Sequence, residues 1–245
     1  MTVRYDGTDY HGWQEQPGLA TIQGTLTERL ATILGERPIL EGTSRTDAGV
    51  HALGQVAAFR TEHAIEVERL AAALNSRLPP DIAVVDVREA PPAFSPSRDA
   101  VGKHYRYRLY RGAVKPVFEA RYVWRWYRPM EVEPMCEAAR RLVGRHDFRS
   151  FEARGSGREN TVREITRLDV AEAGAEIHFD VEGDGFLYRM VRNLVGTLIE
   201  VGRGHRPPEW ADEVLAAKER QAAGPTAPPQ GLCLVAVYFP EPGVL

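Results

Sequence analysis

Apolar residues recur along this chain with two periods, and the switches between them outline its elements. Ile22, Leu26, Leu30 and Ile33 fall at helical spacing within Thr21 to Leu34, and Gly35 follows as a stop. Val67 to Leu78 repeats that spacing through Leu70, Ala71, Leu74 and Leu78, until Pro79-Pro80 ends it. Further helices are predicted over 132–143, 187–201 and 208–218; in the second, Val191, Leu194, Val195 and Leu198 face inward. The other period is that of strands. In Lys103 to Tyr110, Tyr105, Tyr107 and Leu109 alternate with His104, Arg106 and Arg108, the pattern of a half-buried strand. The N-terminal residues, Gln55 to Arg60, Ile82 to Val87, Arg121 to Tyr127 and Leu232 to Phe239 also read as strands. Thr161 to Val170 and Ala175 to Val181 read as a pair joined around Glu172-Ala173-Gly174.

Helices and strands mix without the strict alternation of a doubly wound sheet. The expected class is α+β, with largely antiparallel mixed sheets and helices on one face. The Pro-bearing loop near 91–102 is the expected boundary between an N-terminal half, 1–100, and a C-terminal half, 101–245.

Composition narrows the setting. The 245 residues suit one large domain or two modest ones. No apolar run approaches the roughly 20 residues that span a bilayer, so no membrane association is expected. Cys136 and Cys233 lie in no C-x-x-C spacing, which fits reduced thiols in a cytoplasm. The histidines are dispersed and no G-x-G-x-x-G follows a strand, so neither metal nor cofactor is expected.

The net charge of -3 hides a local imbalance. Between Arg98 and Arg128 nine basic residues face only Asp99 and Glu119. Arg140 to Arg167 adds eight arginines against four carboxylates. Such a face suits a polyphosphate partner, and it equally suits solvated strand faces.

Four strings concentrate unusual chemistry. In Arg45-Thr46-Asp47-Ala48-Gly49-Val50-His51, Asp and Gly are turn formers, and an aspartate there commonly makes an Asx-turn or a helix cap. Arg45, two residues away, can also help hold a carboxylate ionised, as a nucleophile requires. Tyr5-Asp6-Gly7-Thr8-Asp9-Tyr10-His11-Gly12-Trp13-Gln14 is a structured loop, with Trp13 as a core plug. Lys103-His104-Tyr105-Arg106-Tyr107 interleaves aromatics and cations, which serves base stacking or a strand edge with buried tyrosines. Phe186-Leu187-Tyr188-Arg189-Met190-Val191-Arg192-Asn193 opens a predicted helix with two arginines set against its dipole.

In order and spacing these strings resemble the bacterial tRNA pseudouridine synthase A (TruA) family along nearly the whole chain. The resemblance implies two α+β halves flanking a deep basic cleft, and a homodimer that shares one tRNA. It implies isomerisation of uridine to pseudouridine at positions 38, 39 and 40 of the anticodon stem-loop, without cofactor or metal. The family's nucleophilic aspartate falls on Asp47, its base-stacking tyrosine on Tyr105, its aspartate-paired arginine on Arg192 and its base-flipping arginine on Arg45. Phe94, Ser95, Arg98, Arg154 and Arg158 are the remaining expected substrate contacts. The rival readings are a non-catalytic protein that binds structured RNA, and an aspartate-based hydrolase. The second would need a further carboxylate opposite Asp47.

Overall fold

Thr21 caps the first helix through its hydroxyl, which accepts the Gly24 N–H at 3.3 Å. Helix α1 runs Ile22–Leu34 and ends at Gly35, whose φ of 74° and N–H bond to Ala31 O close the last turn. Ile22, Leu26, Leu30 and Leu34 are the buried apolar stripe, so Leu34 rather than Ile33 completes it.

The computed structural model describes residues 1–155 and 159–240. The chain divides into two units, Met1–Val101 together with the strand from Cys233 onward, and Gly102–Leu232. In the first, β1 (Thr2–Tyr5) lies between β3 (His51–Ala58) and β4 (Ile82–Asp86), antiparallel to both. β2 (Glu41–Gly42) pairs with the far end of β3. Helix α2 (Val67–Asn75) packs on β4 and α1. The last strand, β10 (Leu232–Tyr238), adds to β3 in parallel, with Cys233 opposite His51. The sequence boundary assigns that strand to the second half; its backbone bonds to β3 tie it to the first.

The second unit is built on β5 (Gly102–Tyr110), β9 (Glu176–Gly183), β8 (Val162–Ala173) and β7 (Gly144–Asp147), antiparallel in that order. β6 (Trp124–Arg125) joins β5 in parallel and is far shorter than the strand expected over Arg121 to Tyr127. Helix α3 (Val132–Leu142) lies on β8. Helix α4 (Met190–Gly202) contacts α3 and β5, and α5 (Trp210–Ala217) contacts α3. Tyr107, Leu109, Ile177, Phe179 and Val181 fill the core from the facing strands. No helix among the described residues is long and apolar enough to cross a membrane.

Two helix expectations change. α4 begins at Met190, not near Leu187, because Arg189 is left-handed at φ 59° and cannot continue a helix backward. It is also buried nearly all round, polar Arg192, Asn193 and Thr197 included. Its second face is covered by the Pro/Gly/Ala segment after α5, and a Cβ on Gly196 would lie 1.7 Å from Pro225 O. A segment that reads as plain loop therefore forms part of the core.

The arginines of β5, and Arg111 just after it, are paired from β9 and β8. Arg106 grips Asp180 through two bonds, at 3.0 and 3.2 Å, and His104 Nε2 lies 2.6 Å from the same carboxylate. Arg108 makes a two-pronged pair with Glu176, at 2.8 and 2.6 Å, and Arg111 pairs with Glu172. Cross-strand carboxylates far off in sequence thus answer Arg106, Arg108 and Arg111 within this stretch. Burial opposes ionisation of Asp180, but the bonds from Arg106 and His104 outweigh it and hold its carboxyl below the usual range. A depressed native pKa gives stability that is present above the unfolded value and lost as pH falls through the folded one. The urea midpoint should therefore separate wild type from Asp180→Asn most widely above about pH 5, and the gap should narrow below about pH 4. A gap independent of pH would contradict this role for the pair.

Candidate active site

The Asp47 loop connects β2 to β3 and is tied down on both sides. Thr43 N–H donates to Val56 O at 2.9 Å. Ser44 N–H donates to Gln55 Oε1 at 3.2 Å, and Gln55 Nε2 returns a bond to Ser44 O at 2.6 Å. Gln55 is 0% exposed; a buried amide with both ends matched to backbone fixes the loop's first residues. The Thr46 hydroxyl meets the Tyr5 phenol at 2.8 Å. The Val50 N–H bond to Asp47 O, at 3.1 Å, then closes a tight turn. Gly49 stands in it at φ 77°. Asp47 occupies the first corner of that turn, half-buried, while Arg45 is exposed.

The glycine-rich N-terminal loop is the clamp on this turn. Trp13 N–H donates to Thr46 O at 3.0 Å, and Gly49 N–H donates to Tyr10 O at 3.3 Å. A Cβ on Gly7 would sit 2.0 Å from Val50 O. At Gly12, where φ is 91°, a Cβ would sit 2.5 Å from Thr46 O and 3.0 Å from Asp47 C. Only glycine lets the two backbones approach so closely. Trp13 is 2% exposed and anchors the clamp; its ring lies so near Gly42 that a Cβ there would stand 2.4 Å from it. His51 is buried beneath, with Nδ1 accepting the Gly7 N–H at 3.1 Å and the Asp6 carboxylate equally near. Asp6 is itself held by the N–H and hydroxyl of Thr8.

Phe94, Ser95 and Arg98 are engaged within the first unit. Phe94 packs on Phe239 with ring centroids 5.4 Å apart. The Ser95 hydroxyl donates to Glu41 at 2.7 Å, and Arg98 Nε donates to Asp99 at 2.8 Å. Hydrogen bonds from Ser97 and Ser95 hold the Glu41 carboxyl below its usual range. These contacts stabilise the 93–99 loop and β2.

In the second unit, Tyr105 is 7% exposed, with the Phe186 ring edge-on at 5.3 Å. Arg192 is 8% exposed in the first turn of α4. Its Nε donates to Ala227 O at 2.8 Å, and Ala227 N–H donates back to Arg192 O at 3.1 Å. Arg189 stacks its guanidinium 4.8 Å above the Tyr188 ring. Arg154 is exposed after the short turn Arg149–Phe151, and Arg158 lies outside the described residues. Sequence reasoning missed Gln55, Asn193, Arg220 and Thr226. Each is polar; Gln55, Asn193 and Thr226 take their roles from partners elsewhere in the chain, and Arg220 joins distant Asn193 to acceptors three to six residues on.

The sequence model of a family described as tRNA pseudouridine synthase matches residues 1–96 and 138–240. The chain belongs to that family. Asp47 and Arg192 lie inside the matched spans, and Tyr105 falls between them. Relatives named tRNA pseudouridine synthase A agree over almost the full length. The protein from Myxococcus xanthus is 46% identical over 98% of this chain and 91% of its own. Those from Geotalea uraniireducens and Moorella thermoacetica are 44% and 46% identical, each over 98% of both chains. Family membership makes the chain an isomerase, and the rival reading as a non-catalytic RNA-binding protein falls away.

Proposed function

We propose that this enzyme converts uridine to pseudouridine at positions 38, 39 and 40 of the tRNA anticodon stem-loop, with Asp47 as nucleophile. The observation that carries the reading is the construction of the Asp47 turn. A backbone held by Gln55, Tyr5 and the Gly7–Trp13 clamp presents a half-buried carboxylate in fixed geometry. Identities of 43–46% with relatives named tRNA pseudouridine synthase A support the substrate.

The reaction breaks the N1–C1′ bond, turns the base and joins C5 to C1′. C5 loses its proton and N1 gains one, so composition is unchanged and no cosubstrate is consumed. Asp47 acts ionised, attacking C6 or C1′ or taking the C2′ proton. Arg192 is assigned as the cationic partner that favours the carboxylate form. Tyr105 is assigned to stack on the uracil. Extruding the base from its stack costs about a few kcal/mol, and exposed Arg45 is suited to fill the space it leaves. The reading also makes the enzyme a cytoplasmic homodimer that shares one tRNA. The test is incubation with unmodified tRNA transcripts and carbodiimide mapping of the product. Pseudouridine at positions 38–40 is expected; product confined to other positions would overturn the site assignment.

Phosphate contacts make binding depend on salt. The paired arginines of β5 should contribute little to that dependence. Arg154→Ala is expected to reduce the slope of log Kd against log salt by about one, and Arg108→Gln to leave it unchanged. Filter binding across a salt series measures both, and equal changes would show that the Glu176 pairing does not withhold Arg108 from RNA.

A further inference from the structure

Besides Arg192, a second, half-buried arginine fastens the segment that covers α4. Arg220 Nη2 donates to Asn193 Oδ1 and to Thr226 Oγ1, each at 3.0 Å. Its Nη1 donates to Gly224 O at 2.9 Å and to Ala223 O at 3.4 Å. The Thr226 hydroxyl closes the triangle with a 2.6 Å bond to Asn193 Oδ1. Asn193 Nδ2 donates to Phe151 O at 2.7 Å, and Gly224 N–H donates to Thr197 Oγ1 at 3.0 Å. Among the described residues, none of these partners of Arg220 is a carboxylate.

Even a half-buried cation held only by neutral acceptors is a costly way to fasten a loop. Burial lowers the pKa of Arg220, the direction expected when no counter-charge offsets desolvation. An apolar side chain could fill the space. What it could not do is bond Asn193, Thr226 and two carbonyls at once, which the guanidinium fork does. Those groups border the Arg192–Ala227 bond pair on both sides. Asn193 follows Arg192 on the helix, and Thr226 precedes Ala227 on the segment.

We infer that Arg220, through the Asn193–Thr226 triangle, is a positioning residue for the isomerisation: it fixes Ala227 against the first turn of α4 so that the Ala227 carbonyl aims the Arg192 guanidinium. This rests on the reading of Arg192 as a participant in the reaction. Arg220 itself touches no reacting atom.

The test uses the full chain and a tRNA transcript, with single-turnover rate, tRNA Kd and melting temperature measured for each variant. Arg220→Lys keeps the charge and loses the fork. It is expected to slow single turnover by at least about tenfold, as small misplacements of a working group do. The Kd is expected to stay within about twofold, since no phosphate contact is removed. Arg220→Lys combined with Arg192→Lys is expected to be no slower than Arg192→Lys alone, because both act through one group. Thr226→Val is isosteric and removes two sides of the triangle, leaving the Arg220–Asn193 bond. It should give a smaller loss of the same kind, about threefold, and it carries the test if Arg220→Lys does not fold. Unchanged single-turnover rates in Thr226→Val and in any folded Arg220→Lys would overturn the inference. So would losses that multiply in the double variant. A wild-type rate for Arg192→Lys would overturn the reading of Arg192 and this inference together; a slow Arg192→Lys with independent Arg220 losses would overturn the inference alone.

Discussion

Asp47→Asn is expected to lower the rate of pseudouridine formation by at least about a thousandfold, the scale on which enzymes lose activity with a nucleophile, the role proposed for Asp47. The substitution is nearly isosteric. The turn is closed by backbone, through the Val50 N–H bond to Asp47 O, and not by the carboxylate alone. Thr46, Gly49 and Val50 hold it from either side through bonds to Tyr5, Tyr10, Trp13 and the turn itself. Folding should therefore survive. RNA affinity should change by less than about threefold, because phosphate contacts dominate it and removing one negative charge does not weaken them. Asparagine cannot supply an anionic nucleophile or take a proton as a carboxylate does. The check is single-turnover conversion of tRNA beside filter binding of the same sample.

Gly12→Ala is expected to reduce activity by at least about a hundredfold, the scale of a working group displaced by an ångström. The added methyl would stand 2.5 Å from Thr46 O and 3.0 Å from Asp47 C, at a φ of 91° that side chains rarely adopt. Relief requires the clamp and the Asp47 turn to separate. That breaks the Trp13 N–H bond to Thr46 O and shifts the backbone that carries Asp47. The folding cost is about 2–4 kcal/mol, from left-handed strain and overpacking together. A 245-residue protein with that loss should still fold at low temperature. Gly18→Ala is the control: it too has positive φ, 74°, but nothing lies within 4 Å of the new methyl. It should lose some stability and keep its activity. Equal activity in the two variants would show that the close approach at Gly12 does not position Asp47.

Helices and strands with local signals were legible in the sequence. Thr21 and Gly35 bracket α1 because caps act within a few residues of their helix. The alternation in β5 marks Tyr105 and Tyr107 as inward, as they are. The elements that were misread depend on partners far along the chain. α4 reads as amphipathic because nothing near it announces the segment at 223–227 that buries its polar side. For the arginines of β5 the sequence left a phosphate-facing surface and a solvated strand face equally open, because the pairing carboxylates Asp180 and Glu176 lie 74 and 68 positions away. In the site, the Asp47 string was visible, but the reason for the glycines at 7 and 12 was not. That reason is a backbone approach between two loops separated by helix α1 and strand β2. Arg220 was silent for a similar cause: its partners are carbonyls and neutral side chains, which carry no charge pattern.

The central claim, that Asp47 makes or breaks a bond to the target nucleotide, is tested most directly by tritium release from tRNA labelled at uridine C5. The label is lost only after the base has turned and C5 has joined C1′. With saturating enzyme and one turnover, wild type is expected to release the label from positions 38–40, and Asp47→Asn to release none while still binding the tRNA. Release by Asp47→Asn within about tenfold of the wild-type rate, a loss too small for a missing nucleophile, would contradict the claim.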